Sequence, residues 1–231
     1  MRTHLALLAT AASFVLLPAA QAQTAPEVEA NVAFVSDYRF RGVSLSDETL
    51  ALQGGLDLGF DSGLYVGAWG SSIEPVGDSE VEVDLYAGYG AELTEGLSFD
   101  VGVLAYVYPG QEDTAYGEVY ASLTGATGIV ESSVGVAYAP EQDNIGNDDN
   151  LYVFYSGSAP LGESGLGLVF GVGYETGAFG DPDGDGDDKI DWTLGLTASG
   201  YGLDWGLAYV DTSEEGEGVE SQVVLSVGKS F

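Results

Sequence analysis

Cysteine is absent from the 231-residue chain, and its only histidine, His4, falls near the N-terminus. Without cysteine there are no disulfide staples, no thiol nucleophile and no thiolate metal ligand. Without a histidine after residue 4, neither a Ser-His-Asp nor a Cys-His mechanism can be assembled, so no enzyme of those kinds is expected. Basic residues are almost as scarce, with five Lys and Arg against 37 Asp and Glu. So acidic a chain offers no footprint for nucleic acid and repels anionic solutes, which leaves cations as its easier partners. Long apolar runs are missing too, apart from Leu5 to Leu17.

That one run follows Arg2 and leads into Pro18 and the small-residue tripeptide Ala20-Gln21-Ala22. It is too short for a spanning helix and has the layout of a secretory signal peptide. The expectation is a leader over residues 1–22, cleaved on export, and one domain over residues 23–231. The exported part then keeps four basic residues, Arg39, Arg41, Lys189 and Lys229, and all 37 acids, a formal charge of −33. Apolar residues still make up 45% of the chain, far more than a disordered acidic tail carries.

What the sequence has in abundance is alternation. Leu50, Leu52, Leu56, Leu58 and Phe60 share one face of an extended chain, opposite Ala51, Gln53, Asp57 and Gly59. Val81, Val83, Leu85, Ala87 and Tyr89 repeat the pattern against Glu80, Glu82, Asp84 and Tyr86, as do Ile190, Trp192, Leu194 and Leu196 further on. Twelve such segments are read at 28–41, 49–60, 64–72, 79–92, 97–108, 115–124, 129–139, 150–159, 165–177, 188–199, 202–212 and 218–231. Segments 64–72 and 150–159 are the weakest, because Tyr65, Trp69, Tyr152 and Phe154 compete for the outer face. The links after even segments are short turns, such as Asp61-Ser62-Gly63 and Gly200-Tyr201-Gly202. Those after odd segments are mostly longer and polar, as at 42–48, 73–78, 140–149, 178–187 and 213–217. Short turns at one end and long loops at the other predict an all-β fold, a transmembrane antiparallel up-and-down barrel of about 12 strands, with ten and fourteen as the bounds. The long acidic loops are expected outside the cell and the short turns in the periplasm.

Within that wall, Asp37, Arg39 and Arg41 form a basic island whose neighbours Tyr38 and Phe40 alternate with them. The expected placement is the outer end of the first strand, with Tyr38 and Phe40 in an aromatic girdle and the arginines at the mouth of the lumen. Asp37, Arg39, Arg41, Asp57, Glu80, Glu82, Asp84, Asp100 and Glu118 are the candidate pore-lining and selectivity residues. The arginines either neutralise wall carboxylates or form a positive constriction in a negative pore. In Asp181-Pro182-Asp183-Gly184-Asp185-Gly186-Asp187 the acids and glycine follow the opening of a calcium loop. Trp192 stands where a closing glutamate would be, so the alternatives are a calcium site at Asp181, Asp183, Asp185 and Asp187 or a solvated acidic loop. No other cofactor is expected.

The stretches Val35-Ser36-Asp37-Tyr38-Arg39-Phe40-Arg41-Gly42-Val43-Ser44, Ala51-Leu52-Gln53-Gly54-Gly55-Leu56-Asp57, Ser62-Gly63-Leu64-Tyr65-Val66-Gly67-Ala68-Trp69 and Val83-Asp84-Leu85-Tyr86-Ala87-Gly88-Tyr89 resemble the TorF porin family, a Gcw-type family of outer-membrane proteins. The motifs span roughly the first half, and the second half is similar in pattern only. The resemblance implies an outer-membrane barrel with a transport role and brings no binding residue with it. The expected function is a porin for passive diffusion of small solutes, preferring cations, in the outer membrane of a Gram-negative bacterium. The alternative is a non-conducting surface protein whose acidic loops bind divalent cations or lipopolysaccharide. Expected partners are outer-membrane lipid and lipopolysaccharide, small solutes or cations, and the barrel-assembly machinery, which would read the terminal strand ending in Phe231.

Overall fold

The alternating segments close on themselves. The computed structural model describes residues 26–111, 113–181, 186 and 188–231, so the leader read over residues 1–22 lies outside the described residues. Twelve strands form the wall: β1 (Glu27–Val35), β4 (Ala51–Gly59), β5 (Leu64–Val76), β6 (Ser79–Thr94), β7 (Leu97–Val107), β8 (Tyr116–Thr127), β9 (Val130–Gln142), β10 (Asp148–Pro160), β11 (Leu166–Gly177), β12 (Lys189–Gly200), β13 (Leu203–Thr212) and β14 (Gln222–Ser230). Each pairs antiparallel with its neighbour in sequence, and β1 closes the barrel on β14 through five register pairs from Asn31↔Ser230 to Val35↔Ser226. The two short strands β2 (Arg39–Phe40) and β3 (Val43–Ser44) pair only with each other.

Closure leaves no sheet edge, which is what lets strands lie in hydrocarbon with every backbone group paired. The apolar set faces outward: Leu52, Leu56, Leu85, Val103, Leu194 and Leu225 are each exposed on the outer wall. Outward aromatics gather near the two rims. Tyr138, Tyr174, Trp192 and Tyr209 lie toward the loop end, and Phe60, Tyr89, Trp205 and Phe231 toward the end with the termini. Three of the tyrosines donate to rim carboxylates, Tyr138 to Asp149 at 2.9 Å, Tyr209 to Asp211 at 2.6 Å and Tyr174 to Asp188. Hydrogen bonds from Tyr174 and Thr176 hold Asp188 below the ordinary carboxylate range.

Inside the wall, glycine makes room for aromatic rings to lie flat. A Cβ built at Gly67 would overlap the Tyr86 ring, one at Gly88 the Tyr65 ring, one at Gly135 the Phe154 ring and one at Gly102 the Tyr120 hydroxyl. At Gly102 the Ala87 carbonyl oxygen would also lie 2.7 Å away, and backbone cannot rotate aside. Gly102→Ala is therefore expected to cost about 1–3 kcal/mol through overpacking, whereas Gly171→Ala, whose nearest neighbours lie at 3.9 Å, should be close to neutral. Thermal unfolding in detergent compares the two, and equal midpoints would show that the ring-over-glycine fit carries no weight.

Three sequence expectations need correction. The first strand ends at Val35 and does not run to residue 41, because Arg41 (φ 48°) and Gly42 (φ 88°) form the two-residue turn of the β2–β3 hairpin. Residues 73–78 are not a long loop: β5 runs to Val76 across a bulge between Ser72 and Val76, and only Gly77 and Asp78 separate it from β6. Tyr65, Trp69, Tyr152 and Phe154, which blurred the two weak segments, share the inward register of their strands and lie along the lumen.

Candidate functional site in the lumen

The loop between β1 and β4 turns inward instead of continuing the wall. Tyr38 is 1% exposed, and Phe40 packs against both apolar clusters of the interior, so neither residue belongs to the outer girdle where the sequence placed it. The physical reason is charge. A hairpin carrying Arg39 and Arg41 gains far more from the lumen's carboxylates than from lipid, and its aromatic residues follow it in.

Arg39 holds the loop together. Its Nε lies 2.5 Å from Asp37 Oδ2 and one Nη2 bond reaches Glu48 at 3.1 Å, while Nη1 donates to the carbonyls of Gly42, Gly218 and Glu220 at 3.1, 3.1 and 2.9 Å. Asp37 in turn accepts from the hydroxyls of Ser44 and Ser46 at 2.6 and 3.2 Å. Arg41 instead reaches across the lumen. Its Nη2 donates to both oxygens of Glu118 at 2.8 Å and its Nη1 to Glu175 Oε1 at 2.6 Å. Glu118 stands on β8, five strands from β1 one way round the barrel and seven the other, so the loop that leaves β1 meets the wall on the far side of the barrel. The guanidinium lies over the Phe40 and Tyr152 rings, with its carbon 4.6 and 4.4 Å from their centroids.

The wall prepares this contact. Glu175 and Lys189 are directly opposed in the β11–β12 register, with Lys189 Nζ 2.6 Å from Glu175 Oε2, and Asn150 donates to Glu175 Oε1 at 2.8 Å. Tyr106 donates to Glu118 Oε2 at 2.9 Å. On the far side of the loop, Glu82 accepts from Tyr38 at 2.6 Å and from Tyr108 at 2.8 Å. Tyr38 meets Trp69 edge-on at 5.4 Å, and Phe40 meets Tyr106 at 5.7 Å. Burial, and then the neighbouring Glu82, push the Tyr38 hydroxyl well above its ordinary range, so it remains a donor. Burial works against the charge on Arg41, but Glu118 and Glu175 outweigh it and hold the guanidinium protonated. Apolar rings fill what the ion pairs leave, and Phe40 and Tyr108 join the two clusters into one stopper.

Toward the end carrying the termini the lumen changes character. Tyr86 donates to Asp57 at 2.5 Å and Tyr65 to Asp100 at 2.7 Å, while the hydroxyls of Tyr65 and Tyr120 lie 2.6 Å apart. Tyr65 and Tyr86, flat over Gly88 and Gly67, are only partly buried. The facing strands offer mainly Gly, Ser and Thr, such as Ser156, Gly171, Thr193 and Gly195.

Of the residues picked out in the sequence, Asp37, Arg39, Arg41, Glu82, Asp84 and Glu118 are gathered in the stoppered half, and Asp57 and Asp100 line the other half. Glu80 is exposed at the loop-end rim beside the β5–β6 turn and does not join them. Glu175, Lys189, Asn150 and Tyr152 were not picked out. Two signals could have found them: Lys189 is one of only four basic residues after residue 22, and alternation in the β11 and β12 segments places both Glu175 and Lys189 inward. In the acidic loop, Asp181 is exposed and accepts from the Gly186 N–H at 3.1 Å, while Asp183, Asp185 and Asp187 lie outside the described residues. Among the described residues no group of three or more carboxylates is arranged to hold a metal ion.

A family model described as "Bacterial protein of unknown function (Gcw_chp)" matches residues 19–231. The chain belongs to this family. The match reaches past the first-half motifs to the terminal Phe231. Among solved structures, the chain is similar to the KdgM porin (TM-score 0.59, 9% identity, 88% of this chain and 99% of that one). It is also similar to the NanC porin (0.57, 10%, 87% and 98%) and to the COG4313 outer membrane channel from Pseudomonas putida F1 (0.55, 11%, 91% and 97%). At these identities the likeness is one of fold, the closed twelve-strand barrel of outer-membrane porins. No protein of curated function matches the chain.

Proposed function

We propose that this protein is an outer-membrane diffusion channel for small solutes that prefers cations and is narrowed at its loop end by its own first loop. The carrying observation is where the basic residues lie. Arg39, Arg41 and Lys189 are each paired with carboxylates in the stoppered half, and Lys229 is on the outward-facing set of β14, beside Phe231. Asp57 and Asp100 in the open half therefore have tyrosine hydroxyls as partners and, among the described residues, no cation. Any ion in that half meets a negative wall, and rings of carboxylates favour cations. Reversal potentials in planar bilayers under a salt gradient should show cation preference, and Asp57→Asn with Asp100→Asn should move them toward zero. Anion preference in the unaltered protein would overturn the reading.

The family match and the porin-like fold support an outer-membrane location, and the terminal strand ending in Phe231 suits recognition by the barrel-assembly machinery. The stopper favours a second reading, a non-conducting wall protein whose acidic rim meets lipopolysaccharide through divalent cations. Single-channel recording separates the two: steady conductance steps support the channel, and silence from folded, inserted protein supports the wall protein.

A further inference from the structure

The Arg41 site is made by the wall and only occupied by the loop. Glu118 on β8, Glu175 on β11, Asn150 and Tyr152 on β10 and Lys189 on β12 are placed by strand register, whatever the loop does. What they present is shaped for one chemical group. Glu118 takes two N–H bonds from the same nitrogen, Glu175 takes one from the next, and the Tyr152 ring lies 4.4 Å from the central carbon. Fixed carboxylates at the edges and an aromatic face beneath are how a planar guanidinium is recognised, and an ammonium would not use the same set. One acceptor remains unused. Asp191 is 8% exposed and takes a bond from Tyr152 on Oδ1 at 3.3 Å, yet its buried Oδ2 accepts no hydrogen bond among the described residues. A buried carboxylate oxygen without a donor is unfavourable, and it is an acceptor that Arg41 leaves unused.

The resident ligand is held awkwardly. Arg41 sits at the first position of a two-residue hairpin turn with φ 48°, where Asn, Asp or Gly would fit with less strain. We propose that this wall pocket is a binding site for solutes bearing a guanidinium group, that Arg41 is its built-in occupant, and that a solute guanidinium displaces Arg41. A group tethered by a short loop competes at an effective concentration on the order of millimolar, so free solute in that range would exchange with it. The displaced hairpin loses its cross-lumen anchor, and the solute that fits the pocket is the one that opens the way. The transport consequence rests on the channel reading, whereas the binding does not.

Chemical rescue tests the binding without any current. In Arg41→Ala the pocket is vacated, and methylguanidinium at about ten times its dissociation constant should raise the thermal midpoint by roughly 3–6 °C. Methylurea, of the same shape without charge, should not, and neither should tetramethylammonium. Arg41→Ala combined with Glu118→Gln should lose the effect. No rise in Arg41→Ala, or an equal rise in the double variant or with tetramethylammonium, overturns the proposal. Arg41→Gln serves as a second vacated variant if the alanine protein does not fold, with the same outcomes. In the unaltered protein, saturable growth of conductance with methylguanidinium at constant ionic strength would extend the result to transport. Rescue with a silent bilayer would keep the site and reject the channel.

Discussion

Removing residues 37–49 and joining Ser36 to Leu50 through two glycines should give a barrel with several-fold higher conductance and sharper cation preference. Val35 already pairs with Ala51, so the ends of β1 and β4 are in place for a short turn. The wall does not depend on the excised loop, since each strand's ladder is made with neighbouring strands. Two backbone bonds do cross from loop to wall or rim, Glu74 N–H to Leu45 and Ser44 N–H to Gly218, at 2.8 and 2.7 Å. Water replaces them once the lumen is open. Removal takes away Arg39 and Arg41 together with Asp37, Asp47 and Glu48, and it frees the wall carboxylates Glu82, Glu118 and Glu175 from the loop so that they face solvent, hydrated instead of buried. Single-channel recording and reversal potentials measure both effects. Unchanged conductance would show that the stopper does not lie on the path of ions.

Glu175→Ala is expected to have the largest effect on stability of any single substitution in the lumen. Glu175 is fully buried, pairs with Arg41 and Lys189 at 2.6 Å each, and takes a third bond from Asn150. Losing it leaves Lys189 without that carboxylate and Arg41 with Glu118 alone. Breaking a buried pair from one side costs about 3–5 kcal/mol, which for a chain of this size is a fall of roughly 6–20 °C in unfolding midpoint. Replacing the group together, with Glu175→Leu, Lys189→Met, Arg41→Leu and Glu118→Gln, should recover much of that loss, because neither a cation nor a carboxylate of the cluster is then left alone. Heat-modifiability on gels or circular dichroism melts give the midpoints. A single substitution that shifts the midpoint no more than a surface change would mean the cluster is hydrated and not structural.

The wall was legible because alternation is local. Every one of the twelve segments became a strand, most within two or three residues of the expected bounds, since a half-lipid, half-water strand writes its orientation into each pair of neighbours. The site was only partly legible. Arg39 and Arg41 stood out by scarcity; pairing with wall carboxylates, one of the two alternatives foreseen, describes Arg41, whereas Arg39 pairs with Asp37 and Glu48 of its own loop. What alternation could not reveal is where a strand stops alternating between lipid and water. Tyr38 and Phe40 continue the period of β1, and the turn at Arg41 and Gly42 carries no proline or Asn-Gly signal to break it. Glu175 was hidden for the opposite reason: in a chain with 37 acids, no single acid draws notice until its partner is known.

The carbonyl of Gly218 accepts from both Arg39 and Ser44, and Glu220 accepts from Arg39 as well, so the first loop is clasped by the residues that lead into the last strand. That clasp fixes a sequence of events. The hairpin is made early in synthesis, yet its final seat does not exist until the end of the chain has arrived and β14 has met β1. A cylinder still missing its last stave offers Glu82, Glu118 and Glu175 to the loop but lacks the acceptors that Arg39 and Ser44 use. The last bonds of the stopper are therefore completed only once that segment is in place, and a barrel truncated before residue 218 would be left unlatched there.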